Sequence, residues 1–303
     1  MEMATKAAAL LLIIVVGYLI KRRGWVDDTA VKLFGKILIN ITLPAAIVTS
    51  FNTVEITPRM LYVTGLGFVV VFIGQAAGFL VARSQGRQAQ ALAVLNVGPF
   101  NIGLFAIPYL ATFVGPEGIL FAGLFDIGNG LASIVFGYTA AMLLARGRGS
   151  VHTGRALLRA VLMPVFVSYV GMVALRLAGL TIPAPVIGFT SIVGAANTFL
   201  AMMMIGIGLQ IVLDRSRYAA AGRILVTRYA VVIALALVVW FLLPLPVVEK
   251  TVIIMVLAAP IASLSAAFTA EAGLDVGVST FAISTSVLVS IAAMPLVGLL
   301  LAA

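Results

Sequence analysis

Asp126 lies about 10 Å into an apolar run that starts near Ile119, at 1.5 Å per helical residue. An ionisable side chain inside such a run is costly to bury and marks function by default. Asn129 and Ser133 follow at i+3 and i+7, and Gly123, Gly130 and Gly137 share much of that face. The chemistry open to this inward-facing polar stripe is proton carriage, sodium coordination or orientation of Asn101. The alternative is a structural carboxylate held by hydrogen bonds. A second group of residues surrounds two prolines. Gly98 and Pro99 interrupt one apolar run and Asn101 follows; Pro260 interrupts another, and Ser263 and Ser265 follow. A helix restarting after a break exposes free N–H groups and the positive end of its dipole, and such ends accept anions. No Lys or Arg is expected in the middle of any run, so an anion held here relies on these dipoles and neutral donors. Asn101 supplies an amide and the serines hydroxyls. Their alternatives are a helix cap for Asn101 and local back-bonding for the serines. Gln75 and Glu271 complete the coupling candidates, with a solvated loop acid as the alternative for Glu271.

These residues need elements that hold them in a membrane. The chain has 303 residues, 63% hydrophobic and 10% charged, and a mean hydropathy of +1.21. Soluble domains are nearer half apolar and a quarter charged, so a water-soluble enzyme and a disordered chain are both excluded. With no Cys, disulfides and thiolate chemistry are excluded, and a single histidine, His152, argues against a metal site. No cofactor is expected. The net charge of +9 comes from short loops between apolar runs, where it sets topology and implies no nucleic-acid partner.

A span takes roughly 20 residues, and ten fit: 4–20, 33–52, 60–81, 90–113, 119–145, 160–178, 186–212, 224–243, 251–271 and 277–301. The first has only Lys6 ahead of it and Lys21, Arg22 and Arg23 behind, the reverse of a cleaved signal. Loops 1–2, 3–4, 5–6 and 7–8, with their flanking helix ends, hold 15 of the 19 basic residues, Arg228 among them. Lys6, Arg59, Arg176 and Lys250 fall on the other side. The positive-inside rule then predicts an integral inner-membrane protein with both termini on the non-cytoplasmic side.

The spans divide into a five-helix unit over 1–145, a cytoplasmic basic loop over 146–159 and a second unit over 160–303, inverted because five is odd. Pro99 and Pro260 lie 161 residues apart. The same offset from Pro44, read as a break in span 2, lands beside Gly206 and Gly208. Interrupted helices at matching places in two halves point to a transporter's binding site. Gly74 and Gly78 read as a helix-packing pair, and Ser279, Ser286 and Ser290 as packing hydroxyls along one face of span 10.

Three stretches resemble the auxin efflux carrier family: Leu43-Pro44-Ala45; Asn101-Ile102-Gly103-Leu104-Phe105-Ala106-Ile107-Pro108, with Ala106 in place of a usual Gly; and Ala259-Pro260 with the run from Ala270 to Asp275. The resemblance covers the chain and implies an all-α polytopic membrane protein of ten helices in two inverted five-helix repeats. Spans 1, 2, 6 and 7 would form a scaffold, with room for a homodimer through it. Spans 3–5 and 8–10 would form a transport domain, its broken spans 4 and 9 crossing. By resemblance Asn101 contacts substrate. Span 3 carries no acid or base, a departure from some plant relatives. The expected function is a secondary transporter of a small organic anion, a carboxylate first, working by alternating access among membrane lipids with H+ or Na+ as candidate coupling ion. The alternatives are a sodium-coupled carrier like the bile acid symporters, although span 9 lacks that group's Glu and Gln, and a non-transporting sensor.

Overall fold

Long apolar stretches punctuated by Gly, Pro and short polar turns have no alternating pattern to build a sheet, and the chain is helical. The computed structural model describes residues 2–147, 153–209 and 217–301. Among them every regular element is a helix, and one isolated bridge joins Phe100 to Ile261. α1 (Glu2–Arg22) ends on Lys21 and Arg22, which complement the negative helix end. α2 (Asp28–Ile37) begins where Asp27 accepts the Thr29 N–H at 2.9 Å, a side-chain N-cap. A wide π-helical turn, Leu38–Thr42, leads into α3 (Leu43–Thr53). Next come α4 (Tyr62–Val81), α5 (Arg87–Val97) and α6 (Ile107–Phe113), the last preceded by a π-helical turn over Ile102–Ala106. α7 (Pro116–Ala132) continues through a third such turn, Ser133–Tyr138, into α8 (Thr139–Arg146). The second half contains α9 (Thr153–Val161), α10 (Pro164–Leu177), α11 (Ala184–Gly208), α12 (Tyr218–Phe241), α13 (Val247–Leu257), α14 (Leu264–Glu271) and α15 (Val276–Leu301).

Pro44 does not break its span. Residues Thr29–Thr53 form one helix, and Pro44 sits second in α3, directly after the widened turn. A proline ring crowds the carbonyl four residues back and has no N–H to offer it; a π-helical turn opens the helix there without ending it. Pro108 stands in the same relation to the turn before α6. The matching position in the second half is also unbroken, since α11 runs through Gly206 to Gly208.

Among the described residues six helices are long and apolar enough to cross a membrane, and a seventh forms if Gly154–Val161 and Pro164–Leu177, bent by 68° at a short break, count as one span. α1 covers the expected span 4–20 with a helix of 21 residues, whereas the expected spans 90–113 and 251–271 are not among these six. Both are divided at their breaks: α5 and α13 are 11 residues each, about 16 Å at 1.5 Å per residue. Residues 148–152 of the expected basic loop, with Arg148 and His152, lie outside the described residues. So do 210–216, which include Arg215 and the end of the expected span 186–212.

The long helices pack around the breaks. α1 lies on α11, and α3 against α10 and α11; α4 packs on α5 and α7, and α12 on α13 and α15. The α4–α7 crossing is close enough that a Cβ on Gly67 or Gly128 would strike the backbone of Phe125 or Thr64. Phe105, Tyr109, Phe125, Met255 and Val256 fill the core. Phe189, Ile192, Ile233, Leu237 and Phe241 point outward, the apolar belt that a hydrocarbon surround accepts.

Candidate functional site

The two breaks meet. The Asn101 N–H donates to the Pro260 carbonyl at 2.9 Å, and the Ala262 N–H to the Pro99 carbonyl at 3.3 Å. Phe100 and Ile261 therefore pair antiparallel, which satisfies backbone groups that no helix serves. Each break is also pinned from behind. Asn129 of α7 accepts the Phe100 N–H and donates to the Phe100 carbonyl, both at 3.0 Å. Ser286 of α15 accepts the Ile261 N–H at 3.0 Å. The Asn101 amide donates to Ser263 Oγ at 3.0 Å and makes no capping bond, although Asn101 stands at the N-cap position.

Arg228 corrects the expectation that no basic residue lies within a span. It is fully buried on α12, about 15 Å from the start of that helix. Its Nη1 donates to the Val97 and Pro99 carbonyls at 2.8 and 2.9 Å, and its Nη2 to the Ala259 carbonyl at 3.1 Å. Its guanidinium carbon lies 4.4 Å from the centre of the Phe100 ring, a cation–π contact. One arginine thus holds backbone from both breaks. The signal was present, since Arg228 follows the predicted start of span 8 by four residues, but snorkelling to the interface from that depth is equally compatible with sequence.

The paired breaks form one wall of a cavity of about 420 Å³. Pro99, Asn101, Asp126, Asn129, Ser263 and Ser265 line it, and Phe166 and Tyr169 of α10 face them. Asp126 is partly buried and accepts the Asn129 amide at 2.9 Å. The Tyr169 hydroxyl faces the same carboxylate. Ser265 Oγ is among the buried polar atoms without a hydrogen-bond partner. Such atoms cost free energy unless something else binds them. A smaller cavity, about 150 Å³, has Asn101, Leu104 and Ser263 in its wall with residues of α11 and α15. The Asn101–Ser263 pair thus borders both spaces.

Six of the ten residues singled out from the sequence share this cavity; four do not. A Cβ on Gly98 would come within 2.6 Å of the Val71 carbonyl and 3.0 Å of the Gln75 nitrogen, and a Cβ on Gly74 within 2.7 Å of Gly98 Cα. Gly98 is therefore a close-packing position between α4 and α5. Pro260 is buried and contributes its carbonyl to Asn101. Gln75, buried, donates to the Ala132 carbonyl at 3.2 Å, beside the turn at Ser133–Tyr138. Glu271 is exposed at the end of α14, near Tyr138. Nearby, Asp275 caps α15 and pairs with Arg217 at 3.4 Å. Ser286 reads as a packing hydroxyl in sequence and in fact anchors the second break.

Comparison with known proteins supplies a family. Residues 3–297 match the family model described as "Membrane transport protein". An uncharacterized transporter of Methanothermobacter thermautotrophicus (strain Delta H) is 24% identical over 296 residues, covering 95% of each chain. The matches place the protein among multi-pass membrane transporters rather than enzymes. The chain belongs to the membrane transport protein family, the auxin efflux carrier group that its motifs resemble.

Proposed function

We propose that the protein is a secondary transporter that holds a small organic anion, a carboxylate first, in the cavity beside the paired breaks. The observation that carries this reading is the buried, unpartnered Ser265 hydroxyl in a cavity that two helix N-termini also adjoin, those of α14 and the segment Ile102–Phe113. Neutral donors and positive dipole ends suit a carboxylate, and Phe100, Phe166 and Phe268 in the wall suit an apolar body. In this reading the chain crosses the inner membrane ten times as two inverted five-helix repeats over 1–145 and 160–303. Spans 4 and 9 are the broken pair. Spans 1, 2, 6 and 7 form the scaffold, and spans 3–5 and 8–10 move against it. Alternating access is supported by the Asn101–Ser263 pair bordering two cavities built from otherwise largely different elements. Asp126 carries the coupling proton or sodium ion, and both termini lie outside the cytoplasm.

The test is a thermal-shift and binding screen of purified protein against mono- and dicarboxylates, with and without sodium. Asn101→Ala and Ser265→Ala should each weaken the best ligand about tenfold, the loss of one or two polar contacts at about 1–3 kcal/mol each. Wild-type affinity in both variants would place the binding site elsewhere.

A further inference from the structure

Four helix ends converge where the breaks pair. α5 and α13 arrive with C-terminal carbonyls, and Ile102–Phe113 and α14 leave with N-terminal N–H groups. Each end carries roughly half an elementary charge, so two negative ends would offset the two positive ones and leave little preference for a charged ligand. Arg228 upsets that balance. All three of its carbonyl partners, Val97, Pro99 and Ala259, belong to the arriving ends and the breaks that continue them. No ion pair joins it to an acid among the described residues. Beside the departing ends stand the neutral Asn101, Ser263 and Ser265 and one acid, Asp126, whose carboxylate lies 3.8 Å from where a Cβ on Gly103 would sit. Taking the cavity as an anion site, we propose that Arg228 neutralises the C-terminal ends of α5 and α13 and thereby leaves the crossing with a net positive potential whenever Asp126 holds a proton or cation. It is a positioning residue that selects an anion over a neutral molecule of the same shape without touching it.

The guanidinium is suited to this role where a lysine is less so. Its planar fork serves three carbonyls on two separate segments and stacks on Phe100 at the same time. Phe100 also lines the cavity, so one aromatic ring stands between the buried charge and the ligand. Asp126 is the one carboxylate in the cavity wall among the described residues. A proton or cation on Asp126 cancels its charge, and the positive balance from Arg228 then remains for the anion.

The experiment compares benzoate, benzamide and benzamidinium, which share a shape and differ in charge, as ligands of the purified full-length protein. Wild type should prefer benzoate. Arg228→Gln should narrow the benzoate-to-benzamide preference by about tenfold or more, the scale of a helix-end charge in a partly buried setting. Arg228→Lys should keep most of the preference while lowering the melting temperature, because it keeps charge and loses the fork. If Arg228→Gln does not fold, Arg228→His replaces it: the preference should be stronger at pH 5.5 than at pH 8, beyond any change in wild type between the same two pH values. A folded neutral variant with the full wild-type preference, or a His variant whose preference changes no more than that of wild type, would overturn the role of Arg228. Wild-type protein that binds all three probes alike would instead overturn the anion site.

Discussion

Replacing Asn129 by alanine should unfasten the first break. The Asn129 side chain serves both polar groups of Phe100, at 3.0 Å each, and donates to Asp126 at 2.9 Å. Phe100 is buried, and its neighbours leave no spare group to replace the lost partners, because Asn101 and Pro99 already pair with the second break. An unsatisfied buried backbone group costs about 1–3 kcal/mol, so two cost about 2–6 kcal/mol. At a few degrees per kcal/mol for a domain of moderate size, the melting temperature should fall by at least about 5 °C. The assay is thermal unfolding of detergent-purified protein, read by the loss of the monodisperse species. Ser133→Ala is the control. It removes one local bond, from Ser133 Oγ to the Asn129 carbonyl at 2.6 Å, and should cost less than about 1 kcal/mol. Asn129→Ala melting with wild type, or no lower than Ser133→Ala, would refute the claim that this side chain holds the break.

Gly98→Ala places a methyl group within 2.6 Å of the Val71 carbonyl; overpacking against backbone costs about 1–3 kcal/mol, and the yield of folded protein should drop, with an unchanged yield counting against the α4–α5 contact. Asp126→Asn should still bind and exchange substrate in proteoliposomes but lose ion- or pH-driven accumulation; wild-type accumulation in the stable variant would remove the coupling role and leave transport driven by membrane potential. Ser286→Ala frees the Ile261 N–H and should lower stability by about 1–3 kcal/mol, which thermal unfolding measures, whereas a pure packing hydroxyl would leave it unchanged. Tags at either terminus should be reachable from outside intact spheroplasts, and protection of both would invert the proposed orientation.

Much of the cavity wall was legible because its residues break a strong local pattern. An aspartate inside an apolar helix, and prolines at 99 and 260 followed by Asn101, Ser263 and Ser265, are departures that single residues reveal. The α10 side of the cavity was not legible. Phe166 and Tyr169 are ordinary aromatics in an ordinary span, and no periodicity says that α10 turns them toward Asp126. Pro44 looked like a break, yet a widened turn absorbed it, since the same proline can end a helix or loosen it according to what packs alongside.

The sequence by itself determined that this protein is helical and lives in a membrane, because hydropathy, helix formation and proline chemistry are settled within a span or less of chain. Tertiary structure decided which polar groups answer one another. The amide of Asn101 reaches a serine 162 residues away, and the carbonyls that hold Arg228 lie 131, 129 and 31 residues from it. An arginine near the end of an apolar run reads the same whether it rises to the interface or turns inward. The choice depends on whether unpaired carbonyls wait inside, and those carbonyls exist only where two distant breaks have come together.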